Sequence, residues 1–238
     1  VQKSQKILIG AGAGVLALAA IAAFAGPAIY RDFIAPPAAS APTLSSDENI
    51  LPEETTGEQL DPAALIGSWN VTEGSEAGYR VDEVLNGTDV TVTGRTDRVE
   101  GVLTIGAEGL TLEAAELTVD VASISTDSNQ RDAYFRDQAL RTGEFPTATF
   151  VLTEPVSLEE APDAGAVVEA EVTGDLTLAG ATQSVTATVQ VRSDGSTAEI
   201  AGTIPITFAD FGVEAPSLGF VSVEPTGFVE FQLTAARQ

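Results

Sequence analysis

Beyond position 88, apolar and polar residues change places at nearly every step of this 238-residue chain. In "DVTVTG" (89–94) Val90 and Val92 share a side. Leu117, Val119 and Val121 do so in "LTLEAAELTVDVASI" (110–124), and Val185, Ala187, Val189 and Val191 in "SVTATVQVR" (184–192). "IAGTIPITF" (200–208) and "GFVEFQLTA" (227–235) follow the same rule. A repeat of two is the side-chain period of a strand, and Val and Thr suit a pleated, half-buried surface. Turn signals at Asn86-Gly87 and Ser193-Asp194-Gly195-Ser196 help cut the pattern into eight or more antiparallel strands, a sandwich or a barrel. Glycines inside the strand runs "VEGVLTIG" (99–106) and "VTGDLTLAG" (172–180) favour the barrel, where strands must bend round corners.

A barrel of eight strands either fills with its own side chains or holds one small ligand. Ala, Val and Thr are plentiful, so many inward positions are small. Small inward residues leave room for a tunnel without requiring one.

One segment breaks the alternation. "DSNQRDAYFRDQALRTGEFPTATF" (127–150) reads as a helix of about three turns followed by a returning strand. Asp127 or Ser128 can cap it, Asp132 and Arg136 have the i,i+4 spacing of a helical ion pair, and Gly143 is placed to end it. Phe135, Ala139 and Leu140 would share its apolar side and face the barrel.

Much chemistry is missing. The chain has no Cys, Met or His, and its last Lys is Lys6. The globular part therefore lacks a thiolate, an imidazole metal ligand and the base of a Ser–His or Ser–Lys pair, so the reading is of a protein that is not an enzyme. Adjacent carboxylates such as Asp82/Glu83 would point to opposite faces of a strand. From Asp32 onward eight Arg stand against thirty-five Asp and Glu. That charge repels phosphate backbones and excludes nucleic acid as a partner.

The first thirty residues read as a membrane segment. "ILIGAGAGVLALAAIAAFAG" (7–26) is uncharged and as a helix would rise ~30 Å, a bilayer core. Lys3 and Lys6 precede it, which puts the acidic body on the extracytoplasmic side. Ala23-Phe24-Ala25 also resembles a cleavage site, so anchored and secreted forms are both open. Residues 31–63 read as a disordered Pro-rich acidic linker, and 64–238 as the β domain.

Residues of that domain carry a resemblance. "GSWNVTEGSEAGYRVDE" (67–83), "TVDVASISTDSNQRDAYFRDQALRTGEFPTATFVLTEPV" (118–156), "VTGDLTLAGATQSVTATVQV" (172–191) and "ADFGVEAPSLGFVSVEPTGFVEFQL" (209–233) resemble the YceI-like family. The resemblance implies an eight-stranded antiparallel, lipocalin-like β-barrel with one crossing α-helix. It implies an inner tunnel for a polyisoprenoid or similar amphiphile, in proteins often periplasmic or secreted. Tyr134-Phe135-Arg136 and Ala179-Gly180-Ala181 stand where many members carry His.

The expectation is thus a membrane-tethered, extracytoplasmic carrier for an isoprenoid quinone or polyprenyl lipid, with that ligand in place of any cofactor. The alternative is a ligand-free envelope interaction domain with a filled barrel. The expected lining is Trp69, Tyr79, Val81, Phe135, Leu140, Phe150, Leu176, Leu178, Phe208 and Phe228. Each of these could equally be an ordinary core residue. Arg131 and Asp132 are expected to fix the helix to the rim, and Arg136 and Arg141 to meet a phosphate head group if the ligand has one.

Overall fold

The alternating segments become strands, and the strands close on themselves. The computed structural model describes residues 38–44 and 57–238, apart from 86, 108, 109, 218 and 220. The apolar run 7–26 lies outside the described residues, and so do 31–37 and 45–56 of the linker. No helix among the described residues is long and apolar enough to cross a membrane.

Eight strands form the ring: β1 (Gly67–Val71), β4 (Val99–Ile105), β5 (Thr111–Asp120), β6 (Thr147–Leu152), β8 (Val168–Leu178), β9 (Ala181–Ser193), β10 (Thr197–Thr207) and β11 (Val221–Arg237). They pair in that order, all antiparallel, and β11 returns to β1 through Trp69↔Arg237. Strand β2 (Glu76–Leu85) continues β1 along β11, with Tyr79 opposite Val229. Strand β3 (Thr88–Thr96) pairs with β2 and runs on into β4. The pairs β1/β2 and β3/β4 are thus two long staves, each broken once. The two-residue β7 (Val156–Ser157) pairs with β5. This is the expected barrel.

Mid-strand glycines serve packing more directly than bending. A Cβ on Gly174 would sit 2.4 Å from the ring of Phe150, and one on Gly202 would sit 2.4 Å from the ring of Phe231. Each glycine leaves space on the inner wall for the aromatic ring of a neighbouring strand.

The crossing segment differs from the expected helix. Helix α2 (Asn129–Tyr134) is α-helical, and Phe135–Ala139 continues it as a π-helical turn, with Leu140 N–H donating to Phe135 C=O at 2.9 Å. Ser128 caps it, accepting from Arg131 N–H. Its i,i+4 ion pair joins Arg131 to Asp127, at 2.6 Å, instead of Asp132 to Arg136. Asp132 is buried and accepts from Thr126 N–H and Oγ1–H at 2.9 and 2.7 Å. The chain leaves the helix through Arg141 at φ +52°, not through Gly143. Arg141 is held there by its donation to Ala179 C=O at 3.3 Å and by stacking over the Phe145 ring.

Part of the stretch read as linker lies on the barrel. Ala39 C=O accepts from Arg80 Nη2–H at 2.5 Å, and Leu44 N–H donates to Gln190 Oε1 at 2.9 Å. Residues 38–44 therefore lie across the outer wall as a strap. Beneath it, Glu230 is 1% exposed and pairs with both Arg80 and Arg95. Farther on, Gly57 N–H donates to Ala164 C=O at 3.1 Å and Leu60 N–H to Pro162 C=O at 3.0 Å. Helix α1 (Pro62–Leu65) follows, capped by Asp61. Leu60 and Leu65 join Trp69, Ala161, Ala164, Ala198 and Ala235 in an apolar cluster over one end of the barrel.

Two changes test this packing. A Cβ at Gly78 would lie 1.8 Å from Gly94 C=O, whereas one at Gly143 meets nothing within 4 Å. Gly78→Ala is expected to lose about 3 kcal/mol in urea unfolding and Gly143→Ala under about 0.5 kcal/mol. Glu230→Ala leaves two arginines facing each other under the strap and is expected to cost about 2–3 kcal/mol by the same measurement.

Candidate functional site

Alternation sends one set of side chains from every stave into the barrel, and the residues it sends are almost all carbon. They enclose a cavity of about 240 Å³. Small residues make the space: Ala77, Ala115, Ala148, Ala170 and Ala187 all face it. Larger ones shape it, among them Leu103, Leu117, Phe150, Leu176, Ile204 and Phe231. Thr149 and Ser193 are its only lining residues with a polar side chain besides Trp69, among the described residues. Trp69 is 3% exposed, and its indole N–H is spent on Leu65 C=O at 2.9 Å. The indole thus offers the cavity no donor. Along β11 the lining runs from Val229 to Ala235, about 20 Å of strand.

The two ends are closed differently. At the α1 end, the cluster around Leu60, Leu65 and Trp69 forms a lid. At the α2 end large side chains pack against one another. Tyr79 stacks on Phe135 with centroids 4.8 Å apart and planes 15° off parallel. Ile124, Leu140, Leu178, Ile206 and Phe211 are buried in the same core. Arg131 seals the rim, reaching Glu83 at 3.3 Å and Asp127 at 2.6 Å. Burial alone would lower the Arg131 pKa, but the Glu83 and Asp127 carboxylates outweigh it and raise it. Burial pushes the Tyr79 phenol well above its ordinary value; Arg131 opposes the shift, and Asp132, Glu83 and Asp127 add to it.

Of the residues expected to line a tunnel, Trp69, Phe150 and Leu176 do. Tyr79, Phe135, Leu140, Leu178 and Phe208 belong to the plug instead. Val81 shares the inner face of β2 with Ala77 but lies four residues on, past the cavity's end. Arg136 and Arg141 stand at the plugged end, where neither lines the cavity. Phe228 is a correction: it is on the outer wall, 43% exposed, opposite Arg80. Phe228 shares its side of β11 with Glu230 and Gln232, while Val229, Phe231 and Leu233 point inward; the shift between Val223 and Gly227 sets four residues against two and leaves that parity unchanged.

Most of the wall lies outside the expected lining. Ala115, Ala170, Val172 and Ala187 were legible only as the alternate positions of their strands. The alternation marked at Val185–Val191 was the signal that could have found the rest.

Comparison with known proteins agrees with this architecture. The YceI-like domain model matches residues 69–235. A UPF0312 protein of Pseudomonas paraeruginosa is 27% identical over 128 residues, 51% of this chain and 63% of that protein. Protein YceI of Escherichia coli is 30% identical over 97 residues, 40% of this chain and 47% of that protein. The matched stretch thus spans less than two thirds of either curated relative. A polyisoprenoid binding domain from Saccharophagus degradans, implicated in plant cell wall breakdown, superposes with TM-score 0.54 at 21% identity, covering 71% of this chain and 98% of that one. BcnA of Burkholderia cenocepacia superposes with TM-score 0.50 at 24% identity, covering 66% and 96%. At these identities the likeness concerns the fold.

The plug carries a pH signature. In the unfolded chain Tyr79 ionises near ~10, and in the folded barrel it holds its proton above that. The stability it contributes is complete below pH ~10 and is lost as pH rises beyond it. Ultraviolet titration should show the Tyr79 phenol ionising only with unfolding. Tyr79→Phe should remove that late step.

Proposed function

We propose, from the premise that this chain belongs to the YceI-like domain family, that its barrel binds one long apolar chain of isoprenoid type and serves as a carrier or reservoir for it. The observation that carries this reading is the cavity lined by carbon along about 20 Å of strand. Each buried CH₂ contributes about 0.8 kcal/mol, so a tail binds there without a directional polar contact. The same lining supports binding over catalysis. Neither a carboxylate nor a cation faces the cavity among the described residues, so nothing there can exchange a proton at neutral pH.

The proposal extends to location. The uncharged run 7–26, with Lys3 and Lys6 before it and the acid-rich body after it, supports tethering of the barrel at the extracytoplasmic face of a membrane. A carrier held there meets lipid ligands at their source.

Trp69, the chain's one tryptophan, lies in the cavity wall and reports on occupancy. Titration with geranylgeraniol should change its emission saturably. Native mass spectrometry of protein purified from its own host should show a reproducible bound lipid. Ala115→Phe and Ala187→Phe fill the cavity; each is expected to weaken uptake at least about tenfold while keeping the β-sheet spectrum, at a stability cost of about 1–3 kcal/mol. A protein that carries no lipid and leaves Trp69 emission unchanged would be a filled interaction domain instead.

A further inference from the structure

The wall of the barrel is interrupted at one place. The last ladder pair between β6 and β8 is Leu152↔Gly174. Thr153 and Glu154 N–H groups both converge on Thr173 C=O, at 3.1 and 3.4 Å. There the two strands part. The chain after β6 turns toward β5, where β7 places Val156 opposite Leu112, and Leu158 N–H reaches Leu110 C=O at 3.4 Å. From Val168 to Val172, β8 is paired with β9 alone. Both sides of the gap turn apolar residues to the cavity: Val156 and Leu158 on one side, Val168, Ala170 and Val172 on the other. These five are only half-buried, and Ala166 in the loop at the α1 end is exposed while also lining the cavity.

The rim of this gap has one sign of charge. Glu154, Glu159, Glu160, Asp163, Glu169 and Glu171 are exposed on the segments that border it. Between Arg141 and Arg192 the chain has no basic residue. Arg192 itself is 3% exposed and paired with Glu199. The arginines of the α2 end lie beyond the plug.

We infer that the gap between β7 and β8 is the side portal through which the tail enters, and that its acidic rim selects isoprenoid ligands with a neutral or cationic head and rejects phosphorylated ones. This rests on the proposed tail binding. The carbon-lined interior has no place for a charged head, so the head stays at the opening, among carboxylates. A phosphate there meets uncompensated repulsion, weakened by salt. A hydroxyl or quinone carbonyl meets none.

The chain has no cysteine, so single cysteines can be placed without background. Ala166→Cys coupled to a bulky maleimide should slow geranylgeraniol uptake, read by Trp69 emission, while the same adduct on Val102→Cys, on the outer face of β4, should not. Equal rates for the two adducts would overturn the portal. Geranylgeraniol, geranylgeranylamine and geranylgeranyl monophosphate share one tail. At low salt the phosphate should bind at least about tenfold more weakly than the alcohol, the difference shrinking as salt rises. The triple variant Glu159→Gln, Glu160→Gln, Glu171→Gln should narrow it further. Phosphate binding as tight as the alcohol's, or indifferent to these substitutions, would overturn the selectivity and leave tail binding standing. Failure of all three ligands to bind would remove the carrier function itself and this inference with it.

Discussion

Return of β11 to the first stave is the contact on which the molecule depends. β11 pairs with β1 near its end and with β2 along its middle, and with β10 on its other side. A sheet of this length left open would expose two edges of unpaired N–H and C=O groups. Closed, it satisfies them and creates an inside. Whether that inside is solid or hollow then depends on residue size at alternate positions. Large rings and branched chains fill the α2 end. Alanines leave the middle hollow. One architecture thus yields a rigid plug and a cavity within a few residues of each other on the same strands.

The plug and the portal occupy different parts of the barrel. α2, with its three arginines nearby, resembles a gate. Its stacking, ion pairs and buried Asp132 fix it to the barrel instead. Backbone pairing lapses in the side wall toward the α1 end, where residues 168–172 of β8 have only β9 beside them. The segment that closes the far end, residues 57–65, is hydrogen-bonded to the loop 158–165 that borders the lapse. The chain leading into the barrel and the lip of its opening are therefore one structural unit.

The antiparallel strands, the hairpin turns and the place of the crossing helix were legible in the alternation and its interruption; closure was favoured over a sandwich by the mid-strand glycines, and the count of eight came with the family resemblance. The cavity wall was less so. The expected lining favoured large side chains, aromatic and aliphatic, and these drew attention to the plug, because bulky groups gather where space is filled. Phe228 was misplaced by its bulk: the alternation of 227–235 puts it on the side of Glu230, Gln232 and Thr234, against the outer wall. The strap at 38–44 was hidden by composition: Pro, Ala, Ser and Thr read as linker, and the partners that hold them lie on the distant β2, β3 and β9. Glu230 shows the same limit. Its burial follows from two arginines on neighbouring strands, far from it in the chain.

A cavity without directional contacts has a consequence for motion. A ligand fixed by hydrogen bonds has one register. A tail among methyl groups has many of nearly equal energy, separated by barriers of a few weak dispersion contacts. It can slide lengthwise at little cost, and it keeps conformational entropy that a tightly bonded ligand would lose. The cavity defines a path and leaves the position along it open.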